Sequence, residues 1–148
     1  MTSGPILFVD TETTGLLLAG APPDNPLQPH LAQLALLLTD CAGHRVGSFA
    51  AYVQPDGWEM PAEASAINGL TTDYLAAYGL PLHSVWGAFL MFVWRCELIV
   101  AHNVDFDRTI LRVTVARFES LHAKDWPEAC ALPERPWFCT KEAAAPVC

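Results

Sequence analysis

Apolar and polar positions fall into short blocks along the chain, and each block suggests an element. Ile6, Leu7, Phe8 and Val9 form a continuous apolar run, which predicts a strand over 5–10. Further apolar stretches with period-two character predict strands over 31–39 and 46–54. Short helices are expected near 61–67, closed by Gly69, and near 71–77, restarted by a threonine cap. Leu80 to Trp94 is strongly apolar, but His83 interrupts it and Arg95 and Glu97 follow. That leaves it shorter than the ~20 residues a membrane span needs, so it reads as a buried helix over 82–95. Within it Trp86, Phe89, Phe92 and Trp94 read as core or subunit packing rather than as base-stacking groups.

Beyond that helix, a strand is expected over 97–101, a helix over 104–118 and a short strand near 137–140. Asn103 stands at the N-cap position of the 104–118 helix, and Phe106, Ile110, Leu111, Val113, Val115 and Phe118 give the spacing of a helix packed on a sheet. Three early strands with short returns imply an antiparallel meander, and the later strand and helix alternation implies parallel pairing. The fold class is therefore α/β, a mixed sheet with packed helices. Residues 17–30 hold Pro22, Pro23, Pro26 and Pro29 and read as an irregular surface excursion. There is no internal repeat and no sign of a second domain.

Chemistry concentrates at two strand ends. Asp10 and Glu12 follow the first apolar run, and residues two apart in a strand share a face, roughly 6.6 Å apart along the chain. Two carboxylates that close either raise a pKa or bind a cation. Hard oxygens without neighbouring histidines favour Mg²⁺ or Mn²⁺ over zinc. An Asp-x-Glu at a strand end also occurs as an ordinary loop or cap feature. The second acidic segment is Ala101-His-Asn-Val-Asp-Phe-Asp-Arg108. Asp105 and Asp107 differ by about 200° around a helix, so one of them faces the first strand end. Asp107 shares its side with Leu111 and is expected to turn inward, whereas either acid could simply complement the helix dipole. Arg108 and Arg112 share a helical face, read here as solvated and within reach of phosphate.

Asp10-Thr-Glu-Thr-Thr-Gly15, Ile67-Asn-Gly-Leu-Thr71 and Ala101-His-Asn-Val-Asp-Phe-Asp107, in this order and spacing, resemble the DEDD exonuclease superfamily. These are 3′ to 5′ exonucleases, among them the proofreading subunit of bacterial replicative DNA polymerase. Phe138-Cys-Thr140 and the Ala-rich, Cys-terminated stretch after it extend the resemblance along nearly the whole chain. It implies a ribonuclease H-like sheet, a two-metal site of Asp10, Glu12 and Asp107, and nucleotide contacts from Thr13, Thr14, Gly15, Leu16, Asn68 and Phe106. Asn68 stands where many relatives have His. The substrate so implied is the 3′ end of single-stranded DNA or RNA, with a DNA polymerase subunit as a partner of the proofreading members.

The departure lies downstream. The family's third motif, a His and a fourth carboxylate on a helix, is not recognised after Asp107. His122 with Asp125 has the wrong spacing and reads as surface loop. The expected arrangement is a single exonuclease-like domain over 1–148, incomplete at its C-terminal end. Asp10 would bridge both ions, Glu12 would hold the nucleophile-side ion and Asp107 the leaving-group ion. The three carboxylates are expected to converge at one sheet edge closely enough to share one or two ions, with Asp105 pointing away. The alternative is a non-catalytic nucleic-acid-binding or protein-interaction domain on the same fold.

Composition changes little of this. With 148 residues and 52% hydrophobic content, one core is the default. Cys41, Cys96, Cys130, Cys139 and Cys148 form no C-x-x-C pair, which favours reduced thiols, and Met1 leads almost at once into the first strand, so a cytoplasmic location is expected. The net charge of −8 argues against a protein held on nucleic acid mainly by its own basic surface.

Overall fold

The computed structural model describes residues 3–122 and 132–144. The first apolar run forms β1 (Ile6–Thr13), followed by β2 (Leu31–Thr39) and β3 (Arg45–Tyr52). Two short helices come next, α1 (Ala62–Asn68) and α2 (Thr72–Tyr78), then α3 (Leu82–Val93), β4 (Leu98–Ala101), α4 (Val104–His122), β5 (Trp137–Cys139) and α5 (Thr140–Ala144). The five strands make one sheet in the order β3-β2-β1-β4-β5. β1, β2 and β3 pair antiparallel, while β1 with β4 and β4 with β5 pair parallel. The mixed sheet expected from the sequence is present, in the ribonuclease H-like α/β arrangement.

Alternation along β1 divides the molecule. Leu7, Val9, Thr11 and Thr13 point into the core, level with Leu38, Leu36, Leu34 and Leu31 of β2. Trp86, Phe89 and Val93 of α3 and Ile110, Leu111 and Phe118 of α4 close over that face. Each of these large side chains, fully withdrawn from water, contributes about 1.5–3 kcal/mol. Phe8, Asp10 and Glu12 point the other way, level with Leu37, Ala35 and Gln33. There Phe8, Leu37 and Phe138 remain 38–47% exposed. Small residues Ala35, Ser48 and Ala50 leave a shallow trough of about 320 Å³ that ends at Asp10.

Capping accounts for the short helices. Gly69 closes α1 at φ 75°, a conformation that favours glycine, and its N–H donates to Ser65 O. Thr71 caps α2 by accepting from Tyr74 N. α1 and α2 pack Ala64 and Leu75 into a second cluster around Ala32, Met60 and Leu70.

Several features differ from expectation. β1 runs on to Thr13 because β2 supplies partners as far as Leu31, with a bulge between Glu12 and Thr13, so the acids lie inside the strand. α4 extends a turn further, through His122, so the reading of His122 as loop is corrected; Asp125, like Cys130 and Cys148, lies outside the described residues. α5 was not expected. Trp94 is not core: it caps α3 at 58% exposure with the Arg135 guanidinium 5.6 Å from its ring. The 17–30 excursion is irregular as expected, yet fixed. Buried Gln28 accepts from Leu18 N and donates to Ala21 O, and Arg117 donates to Pro29 O. No helix among the described residues is long and apolar enough to cross a membrane.

Candidate metal and nucleic-acid site

β1 and the first turn of α4 carry the acids and approach each other from two directions. Asp10 and Glu12 stand on the open face of β1, Asp10 exposed and Glu12 half-buried. Burial raises the Glu12 pKa above the usual carboxylate range and the Asp10 charge adds to the rise, while a hydrogen bond from Asn68 opposes both. Asp107 arrives from the core side, only 5% exposed. Its Oδ1 accepts from Thr11 Oγ1 at 2.8 Å. Burial raises the Asp107 pKa; the Thr11 hydroxyl pulls it back and the Asp10 charge pushes it up again. Asp105 points outward and pairs with Arg108 at 3.2 Å, as expected.

The close convergence expected of the three carboxylates is not found. Among the described residues no three His, Cys, Asp or Glu side chains stand close enough to hold a metal ion. The reason is sidedness: Asp10 and Glu12 leave β1 on one face, whereas Asp107 is anchored to Thr11 on the other. Thr11 was missed as a site residue in the sequence. Its place between two acids was the available signal, since a strand must turn the middle residue to the opposite face.

The proposed nucleotide contacts surround the end of β1. Asn68 donates from Nδ2 to Thr13 O at 3.2 Å and accepts from Leu70 N, which ties α1 to β1. The Thr13 hydroxyl donates to Gly15 O at 2.7 Å. Thr14 and His30 exchange hydrogen bonds, Thr14 N to His30 O and His30 N to Thr14 Oγ1. These two threonine side chains shape the turn, and Leu16 projects from it at 84% exposure with Ile67 beside the same corner at 88%. Phe106 is half-buried against the main core. His102, exposed next to the α4 start, has Nδ1 3.1 Å from Thr140 Oγ1.

The fold recurs in solved structures. Exonuclease I of E. coli, in a metal-free complex with single-stranded DNA, superposes with a TM-score of 0.70 at 21% identity, over 95% of this chain and 29% of that one. Exonuclease I of Methylocaldum szegediense matches at TM-score 0.68 and 17% identity, over 94% and 28%. A product-bound exonuclease I matches at TM-score 0.70 and 20% identity, over 96% and 31%. The chain thus spans about 30% of the length of these proteins, and the likeness is one of fold. No curated protein shows significant sequence similarity to it. The sequence model for exonucleases of the RNase T type matches residues 7–144, almost the entire chain, and the protein belongs to that exonuclease family.

Proposed function

We propose that the chain is a metal-dependent 3′ to 5′ exonuclease domain that releases nucleoside monophosphates from nucleic-acid 3′ ends, in proofreading or trimming. The observation that carries this is an exonuclease-family fold in which β1 bears Asp10 and Glu12 while Thr11, between them, holds buried Asp107 of α4 by a hydrogen bond. The donor set fits Mg²⁺ or Mn²⁺ in chemistry, being all carboxylate oxygen, with the pKa values of Glu12 and Asp107 raised by burial and by the Asp10 charge. When bound, such ions activate water and stabilise the leaving 3′ oxygen. Thr11 holds the Asp107 carboxylate at β1 and sets its orientation. Leu16, Asn68 and Phe106 frame the terminal nucleotide, while Gly15 lets backbone approach it.

Residues 1–148 are taken as one exonuclease-like domain whose catalytic His and fourth carboxylate come from a helix seated on the open sheet face. Exposed Phe8, Leu37 and Phe138 beside the acids support that seat. The purified chain should accordingly show little or no digestion of a 5′-labelled strand, even with Mn²⁺, because loss of a general base alone commonly costs about 10²–10⁴-fold. It should still bind thymidine 5′-monophosphate in the presence of Mn²⁺, with chemical-shift changes around Thr13, Leu16, Asn68 and Phe106 that Asp107→Ala weakens. Mn²⁺-dependent nucleotide binding that is indifferent to Asp10→Asn would refute the site. Robust digestion abolished by Asp10→Ala would instead make a resident histidine the base, with His102 first to test.

The failure of the three acids to cluster favours a second reading, a non-catalytic nucleic-acid-binding domain. In that case neither Mn²⁺ nor an added His-bearing segment produces cleavage.

A further inference from the structure

Arginine is concentrated in one groove of this acidic protein. Of its 8 Lys and Arg residues, Arg108, Arg112 and Arg135 line a single groove of about 740 Å³ between the outer side of α4 and the segment leading into β5. Trp137, Pro133 and Pro136 form the β5 wall, and Pro23 of the proline-rich excursion reaches its rim. Glu119 and Glu134 are also present at the edge.

Three features point to a bound anion. Arg108 pairs with Asp105 through one terminal nitrogen, yet its Nε is buried without a hydrogen-bond partner among the described residues. A buried donor left without an acceptor is costly, and an oxygen-rich ligand would satisfy it. Arg112 is exposed one turn further along α4, about 6 Å of rise away, so two planar guanidinium forks line up along the groove. Trp137 is half-buried beside them, a flat surface on which a base can stack. Arg108 directly follows Asp107 in sequence on α4, although none of the three acids lines the groove itself.

We infer that this groove holds the phosphodiester backbone of a single-stranded nucleic acid, upstream of the 3′ end lodged at the acids. Arg108 and Arg112 each engage a phosphate, and Trp137 stacks a base between or beyond them. The placement of the 3′ end rests on the function proposed above, but the groove's own affinity for phosphate does not.

The test is fluorescence anisotropy of a labelled 15-residue oligothymidylate in EDTA, where the acid site contributes nothing attractive. Arg112→Glu should weaken binding roughly 10-fold and flatten the slope of log affinity against log salt by about one. Arg45→Glu, the same charge change on β3, should leave both within twofold. Unchanged affinity and slope in Arg112→Glu would overturn the proposal. So would tight, Arg112-dependent binding of an oligoglutamate peptide with no binding of the oligonucleotide, which would make the groove a protein-docking site. Mn²⁺-dependent binding of thymidine 5′-monophosphate, measured alongside, reports on the acids alone. Its loss with the EDTA result intact would remove the exonuclease site and leave the groove standing.

Discussion

The two faces of the sheet are built from the same strands and obey opposite rules. On the core face, Leu7, Val9, Leu34, Leu36, Leu38 and Ile99 are buried under α3 and α4, and the polar side chains of β1 there, Thr11 and Thr13, both make hydrogen bonds. On the open face, Phe8 and Leu37 stay partly wet and Asp10 and Glu12 carry uncompensated charge. One face is finished and the other is waiting. Stability resides in the first, whereas the groups able to do chemistry sit on the second or, like Asp107, are passed to the strand from behind it.

The largest test of this contrast compares adjacent residues of β1. Leu7→Ala should destabilise the protein by about 2–5 kcal/mol in urea denaturation, since it opens a cavity under two helices. Phe8→Ala should cost about 1 kcal/mol, because much of its ring already faces water. Equal losses would mean that the open face is covered in solution.

Metal should distinguish the faces next. At ten times its Kd, Mn²⁺ would add about 1.4 kcal/mol, read as a few degrees in melting temperature. Asp10→Asn should remove most of that rise; an identical shift in wild type and variant would locate the ions elsewhere. Asp107→Asn should raise the melting temperature in EDTA while abolishing the Mn²⁺ effect. Its folded pKa lies above the unfolded value of 3.8, so the wild type loses stability as pH rises through that interval, and the variant should show a shallower fall.

The last effect is confined to acidic pH and concerns His30, stacked on Trp58 with centroids 5.1 Å apart. Burial, helped by the Arg117 charge, lowers its pKa to about 4. The unfolded chain takes up the proton near 6.5, so stability should fall as pH drops from about 6.5 toward 4, opposite in sign to Asp107. His30→Phe keeps the stack and should flatten that limb in a pH series of thermal melts. An unaltered limb would assign it to other groups.

Much of this was legible because it depends on local periodicity. The runs at Ile6–Val9 and Leu98–Ala101, the cap at Thr71 and the glycine at Gly69 are local signals, and the corresponding elements formed where they point. What escaped is set by partners distant in sequence. β1 continues past Asp10 only because Leu31 and Gln33 are there to pair with it, and Asp107 turns to Thr11, 96 residues away, rather than toward the two acids. Trp94 lies outside the core for the same reason, since its cation partner Arg135 is 41 residues further along the chain. The family resemblance singled out the three acids as candidates but gave no indication of the side of the strand from which each approaches.

Gln28 carries a consequence for the proline-rich excursion. Its amide reaches ten residues back to Leu18 and also meets Ala21 O and Pro22 O, so one side chain clasps the interior of the loop while Arg117 pins its far end at Pro29. A loop held that way behaves as a small ring: its exposed tip can change without disturbing the strands on either side, while loss of the Gln28 amide would loosen the interior next to the proline that borders the arginine groove.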